Sequence, residues 1–216
     1  MNQVSNNSRA RRGAIGKGGL IGLAVAAGLA LLCVLIGVGG YNSLVKGQED
    51  TKAKWANVEN FYKRRFDLIP NLVETVKGAA NFEQTTITQV TEARASVGRA
   101  QLPADLPTDQ AKLDAYIKAQ AALGSALSRL MVVAENYPAL KATENFKDLQ
   151  SQLEGTENRI AVAREDFTVS VKNYNTSVRS FPKNILAGMF NFQTLPQFTI
   201  PAEEQATPKV NFGGGK

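Results

Sequence analysis

FKDLQSQLEGTENRIAVAREDFTVSVKNYNTSVRSF, residues 146 to 181, decides the fold. Phe146, Leu149, Leu153, Thr156, Ile160, Ala163, Phe167, Val171, Tyr174, Val178 and Phe181 follow one another at steps of three and four. On a strand these positions would scatter over both faces, whereas on a helix they line one stripe. A stripe of that length must be buried against other helices. Its 3.5-residue period favours near-parallel packing, with side chains of one helix seated between those of the next. At about 1.5 Å per residue this helix alone spans roughly 60 Å, which predicts a rod and not a ball.

Working outward, Leu113, Tyr116, Gln120, Leu123, Leu127, Leu130, Ala134 and Tyr137 repeat the pattern upstream. A further helical stretch covers about 43–99 and is clearest at Val73, Val76, Ala80, Glu83, Ile87, Val90, Arg94 and Val97. No stretch alternates with period two for long enough to be a core strand. Leu102 to Pro107 holds two prolines and separates these helices, with Thr108 placed to cap the next one. Tyr137-Pro138 interrupts before the long helix and Phe181-Pro182 ends it. Pro70 removes a backbone donor and is expected to kink or break the stretch containing it, into about 43–68 and 71–100. Beyond Pro182, residues 184–190 have room for a helical turn or two. Phe192, Leu195, Phe198, Ile200, Val210 and Phe212, spaced among Pro196, Pro201 and Pro208, then read as an extended tail lying along the bundle. A partner or a membrane surface is the alternative for that tail, and Gly213 to Lys216 is expected to be disordered.

At the other end, Gly18 to Val45 carries no charge and Leu20 to Val38 is almost wholly apolar. That matches the roughly 20 residues a helix needs to cross the hydrocarbon core. A cleaved signal peptide is the rival reading, but its apolar region should be shorter and end in a small-x-small site. The candidates around Gly37 to Gly40 fit poorly, and an uncleaved signal anchor is favoured. Arg9, Arg11, Arg12 and Lys17 flank the N-terminal side with no acid among them, whereas Lys46, Lys52 and Lys54 are interspersed with Glu49 and Asp50. The positive-inside tendency then places residues 1–17 in the cytosol and the large domain outside. Small residues line the anchor (Gly22, Ala26, Gly28, Ala30, Gly37), a spacing on which helices can also pack within the membrane.

The net charge of +6 looks like a nucleic-acid signal until its position is considered. Arg9, Arg11, Arg12, Lys17 and Lys46 account for five of 25 basic residues within a stretch that has no acid. The remainder holds 20 basic against 19 acidic residues, so the folded part is nearly neutral and lacks a nucleic-acid footprint. The single cysteine, Cys33, lies in the apolar run, follows Leu32 and has no cysteine partner for a disulfide or a zinc site. With no histidine in the chain, Ser-His-Asp and Cys-His nucleophile pairs and the His-Glu-x-x-His zinc helix are all excluded. Glycine clusters occur only in the anchor and at the C-terminus, so no phosphate loop is present. Glu74, Glu83, Glu154 and Glu157 read as solvated or ion-paired helix residues. Neither a cofactor nor a metal is expected, and the chain reads as a non-enzyme.

Several segments resemble a known family. Arg64-Arg65-Phe66-Asp67-Leu68-Ile69-Pro70-Asn71-Leu72-Val73 closely resembles the signature of the LemA family. So do Tyr137-Pro138-Ala139-Leu140-Lys141-Ala142, then Phe146, Leu149-Gln150, Leu153, Glu157-Asn158-Arg159-Ile160-Ala161 and Arg164. Tyr174-Asn175, Phe181-Pro182 and Pro208-Lys209-Val210 continue in the same order, and the resemblance covers about residues 40 to 212. It implies a membrane-anchored α-helical bundle in a bacterial envelope protein of poorly defined function. Relatives include a magnetosome-formation protein, and family genes often lie near those of an HtpX-type membrane zinc protease.

Together these readings predict an all-α chain: an N-terminal transmembrane helix, an elongated antiparallel bundle of three to four long helices, and an extended C-terminal tail. The expected divisions are a basic segment (1–17), the anchor (18–42), the bundle (43–182) and the tail (183–216). Candidate structural or interaction residues are Arg65, Asp67, Pro70 and Asn71 around the proline, and Glu157, Asn158 and Arg164 on the long helix. Asn158 is set beside the apolar stripe. Buried polar groups and carbonyls freed at a proline need donors, so these residues read as a network fixing register, or else as a docking surface. The expected partners are the lipid bilayer, other envelope proteins and further copies of the chain, with no nucleic acid. The expected role is a scaffold of the envelope in the cell membrane, which the resemblance links to membrane proteostasis; a self-assembling membrane-shaping protein is the alternative, and a ligand-binding or enzymatic module is disfavoured.

Overall fold

A computed structural model describes residues 17–79, 82–100 and 106–198, with side chains from Leu20 onward. Among these residues the secondary structure is α-helical, without strands. The helices are α1 (Lys17–Lys77), α2 (Gln84–Arg99), α3 (Gln110–Ala134), α4 (Pro138–Ala142), α5 (Glu144–Arg179) and α6 (Lys183–Met189). α1 is a single helix of 61 residues, about 90 Å long. Its first third is apolar on every side, and no part of its most apolar window is covered by protein. Leu20, Ile21 and Leu35 are 58%, 66% and 62% exposed. A surface of this kind suits lipid and not water. Burial begins at Gly40 and Leu44, with no interruption of the helix between anchor and bundle.

Along the bundle, α1 buries Leu44, Thr51, Trp55, Val58, Tyr62, Arg65, Ile69, Leu72 and Val76, a heptad stripe. α5 runs antiparallel against it. Gly47 meets Tyr174, Thr51 meets Ser170, Trp55 packs at a tilt against Phe167, and Arg65 reaches Glu157. α2 turns back and packs along α3, where Arg129 donates to Gln89. The stripe read for α3 is buried from Leu113 to Ala134, and that of α5 from Phe146 to Val178 except for half-buried Leu149. Phe181 falls past the end of α5 and is 80% exposed.

Two boundaries differ from those read in the sequence. Pro70 lies inside α1, which continues to Lys77 without the expected break. The chain turns instead after Gly78, where the amide nitrogens of Gly78 and Ala79 donate to the carbonyls of Glu74 and Val76. Three-and-four spacing happens to persist through Val76, Ala80 and Glu83, so the stripe conceals this turn; Ala80 itself lies outside the described residues. Thr108 does not cap α3. Asp109 does, its carboxylate accepting from the amides of Ala111 and Lys112. α4 opens on Pro138, and Thr143 caps α5 by accepting from the Phe146 amide.

The tail begins as α6 and then folds back. Asn191 has φ 57°, a left-handed position that asparagine tolerates, and the Phe192 amide donates to the Ala187 carbonyl to close the helix end. Asn175 clamps the extended segment by donating to the Leu195 carbonyl and accepting from the Leu195 amide, both at 2.8 Å. Phe198 then packs beside Trp55 and Phe167. As far as Phe198 the tail lies along the bundle; Ile200, Val210, Phe212 and 213–216 are outside the described residues.

Candidate functional site

Arg65 occupies a stripe position of α1 that ordinarily takes an apolar side chain, and it is 2% exposed. Burying a charge there is costly unless partners meet it. Nη1 donates to Glu157 Oε2 at 2.5 Å, across to α5. Nη2 donates to the Gln120 carbonyl at 3.2 Å and to the Gln120 side-chain oxygen, across to α3. Gln120 Nε2 in turn donates to the Tyr116 hydroxyl at 2.6 Å. The Tyr116 ring meets Tyr62 edge to face, and the guanidinium carbon lies 5.3 Å from the centre of the Tyr62 ring. Of the three guanidinium nitrogens of Arg65, Nε is buried without a partner, and among the described residues the Trp55 indole Nε1 is another such atom. Burial pushes the Tyr116 hydroxyl up to about 12, and it raises Tyr62 as well. Arg65, Gln120 and Glu157 thus join three helices in one polar layer.

This layer borders a groove of about 610 Å³ between α1, α3 and α5. Ser125 and Ser128 of α3 and Glu157 and Arg164 of α5 supply polar walls, and Leu127 and Ile160 supply apolar ones. Arg164 also lies 4.9 Å from the Phe198 ring, so the tail passes one end of the groove. A second polar layer crosses the α1–α5 seam nearer the anchor. There the Thr51 and Ser170 hydroxyls are 2.8 Å apart, and Ser170 donates to Asp50.

The seven residues singled out in the sequence therefore separate. Arg65 and Glu157 are bonded, and Arg164 lines the same groove. Asp67 and Asn71 are exposed on another face of α1, beside Lys63 and Arg64. Asn158 is exposed, away from the stripe, on an outer seam with Asn57, Phe61 and Val162. Pro70 is exposed, and its consequence appears one turn earlier. A residue with an N–H at position 70 would bond the carbonyl of Phe66. Instead Arg94 of α2 donates its Nε to that carbonyl at 3.3 Å, with its guanidinium 3.8 Å from the centre of the Phe66 ring. The orphaned acceptor is satisfied from a neighbouring helix, and α1 continues.

Gln120 and Arg94 stood in their stripes at the sequence level without an assigned role, and Tyr62 was not singled out. The missing signal was the α1 register: counting threes and fours back from Val76 through Leu72 and Ile69 lands on Arg65 and Tyr62. Among the described residues no three His, Cys, Asp or Glu side chains come together as a metal site. The arrangement can fix helix register and bind through a mixed polar and apolar groove.

The family model for LemA matches residues 54–212, which take in the arginine layer, the proline and the groove. The chain belongs to the LemA family. MamQ, a magnetosome protein of Magnetospirillum gryphiswaldense, is 30% identical over 174 residues, 73% of this chain and 64% of that protein. Magnetosome protein MamQ 2 of Paramagnetospirillum magneticum is 29% identical with the same coverage. Protein LemA of Metamycoplasma hominis is 21% identical over 150 residues, 69% of this chain and 64% of that protein. The match thus spans a little under two thirds of the length of each of these LemA-family relatives.

Proposed function

We propose that this LemA-family chain is a non-enzymatic scaffold of the bacterial envelope, tethered in the cell membrane with its N-terminus cytoplasmic and its bundle outside. The groove beside Arg65 receives another envelope protein. The observation that carries this reading is α1: one uninterrupted helix is lipid-suited along its first third and bundle core along the rest. A flexible tether would merely localise the bundle, whereas a continuous helix transmits direction and height from the membrane to the groove. The link to membrane proteostasis rests on the family resemblance alone.

A photo-cross-linker at Ser128, in the full chain in intact membranes, is expected to give discrete adducts with other proteins. The same probe at exposed Glu92 should not; equal yields at both sites would remove the groove as a docking site. Protease added to spheroplasts should digest the bundle, and protection until lysis would reverse the orientation. A second reading, lateral self-assembly that shapes the membrane, is favoured by Val162 and Val169, 61% and 51% exposed on α5. A regular ladder of homo-oligomers from a probe at Val162 would support it over the scaffold.

A further inference from the structure

A span of roughly 20 residues starting at Leu20 brings α1 to the membrane surface near Gly40. α6 is held against α1 at that level. Leu186 fills the space beside Gly40, where a Cβ would come 2.6 Å from Leu186 Cδ1. Lys183 Nζ donates to Ser43 Oγ at 2.8 Å. Phe190 and Phe192 meet Tyr41 edge-on, with ring centres 4.9 and 5.7 Å away. The other side of α6 is bare. Phe181, Ile185, Met189 and Phe190 are 80%, 55%, 73% and 54% exposed, and Ile185 and Met189, four residues apart, share one face.

Such a cluster is poorly suited to water and marks a surface that something covers. Two features identify the cover. The cluster is continuous with the exposed apolar surface of α1 through Tyr41, which is itself 38% exposed, and Val38. The charge nearest the cluster is also of one sign: neither 18–48 nor 174–198 contains an acid, while Lys46, Arg179 and Lys183 lie within them. We infer that α6, with Phe181 and Phe190, is a membrane foot. It rests in the interfacial zone of the same bilayer that α1 spans, with its apolar face toward the acyl chains and the basic residues around it toward anionic headgroups. Tyr41, with an apolar ring and a polar hydroxyl, suits the boundary between headgroups and hydrocarbon. The bundle then touches the membrane at two places, which fixes its tilt. The inference requires α1 to span the bilayer but does not require the partner groove.

The test uses the full chain with Cys33→Ser and one environment-sensitive label, placed in turn at Ile185→Cys, Met189→Cys, Val34→Cys and Val132→Cys. The proteins are reconstituted in phosphatidylcholine vesicles with and without phosphatidylglycerol. Labels at 185 and 189 should be quenched several-fold more by headgroup-level nitroxide lipids than the label at 132, more strongly with phosphatidylglycerol present. The label at 34 should respond to deep nitroxides and so report the span independently of the foot. Labels at 185 and 189 that respond to aqueous iodide as the one at 132 does would overturn the foot. Shielding from iodide without lipid quenching would overturn it too, by making the cover a second copy. Ile185→Asp with Met189→Asp, labelled at Phe181→Cys, should lose lipid quenching while its melting curve in detergent stays unchanged. Retained quenching in that variant would also overturn the proposal.

Discussion

Pro70 withholds one donor from α1 and Arg94 replaces it from α2, which predicts energetic coupling between two residues on different helices. Arg94→Leu keeps an apolar stem over Phe66 and removes the donor; it should lower stability by about 1–2 kcal/mol, the loss of a satisfied carbonyl. In a Pro70→Ala background the amide at position 70 can reach Phe66 itself, and the same change should cost much less. Denaturant unfolding of the four proteins in this cycle reads the coupling directly. Equal losses in both backgrounds would mean that Arg94 acts through the ring of Phe66 and not through its carbonyl. Arg65 is a harder case, because its removal strands Gln120 and opens the core: Arg65→Ala should destabilise by about 3 kcal/mol or more. Glu157→Gln should do less, since the Glu157 side chain is 57% exposed and water screens it. The tyrosines of this layer set an alkaline limit. A phenol ordinarily titrates near 10, and burial holds Tyr116 to about 12 and raises Tyr62. Below the ordinary value both states carry neutral phenols and the full stability is present. As pH rises from about 10 toward 12 only the unfolded chain ionises, so stability falls through that window. Melting temperature measured across it should drop, and less steeply for Tyr116→Phe.

At the scale of elements, the stripes of α3 and α5 were legible because their buried sides are periodic and their ends are punctuated by proline. Leu127 and Ile160, 8% and 2% exposed, are consequently positions where an unpaired charge cannot be accommodated. Leu127→Asp or Ile160→Asp should unfold the bundle, at a cost of several kcal/mol against a stability on the order of 5–15 kcal/mol. Glu83→Gln should melt like the parent, because Glu83 is an exposed N-cap that makes no side-chain capping bond. Circular dichroism melts decide both, and unchanged curves for the aspartate variants would mean that the stripes are wrongly placed. α1 was less legible for two separate physical reasons. Proline weighs heavily in any local reading, but its penalty is a missing hydrogen bond, and a side chain remote in sequence can supply that bond. Conversely, the true turn after Gly78 lacks proline and keeps the three-and-four rhythm, so periodicity runs through it unbroken. The candidate site was half legible for a related reason. Arg65, Glu157 and Arg164 converge because their helices do, whereas Asp67, Asn71 and Asn158 are close in sequence to the site yet lie on other helix faces. Neighbourhood along a helix does not fix the direction of a side chain; register does.

For the whole molecule, α1 carries anchor and bundle on one continuous helix, and whether that helix fixes the direction of the bundle can be tested without touching any bundle contact. The first bundle packing along α1 occurs at Gly40, so an alanine inserted between Gly37 and Val38 lies wholly within the exposed apolar helix. It rotates the anchor by about 100° relative to the bundle and lengthens the helix by about 1.5 Å. Four inserted alanines rotate it by about 400°, which is only about 40° from the starting direction, and add about 6 Å. Neither insertion should change the melting curve of the bundle. If the groove beside Arg65 serves a partner that is itself held in the membrane, its direction relative to the anchor matters. Cross-linking from Ser128 should then fall sharply with one inserted residue and recover in large part with four. If height above the membrane were the controlling variable, the order would be reversed, with four residues more damaging than one. A soluble envelope partner predicts a third pattern, in which both insertions leave the adducts intact. That result would show α1 to be a tether despite its continuity, and the scaffold reading would then lose the observation on which it stands.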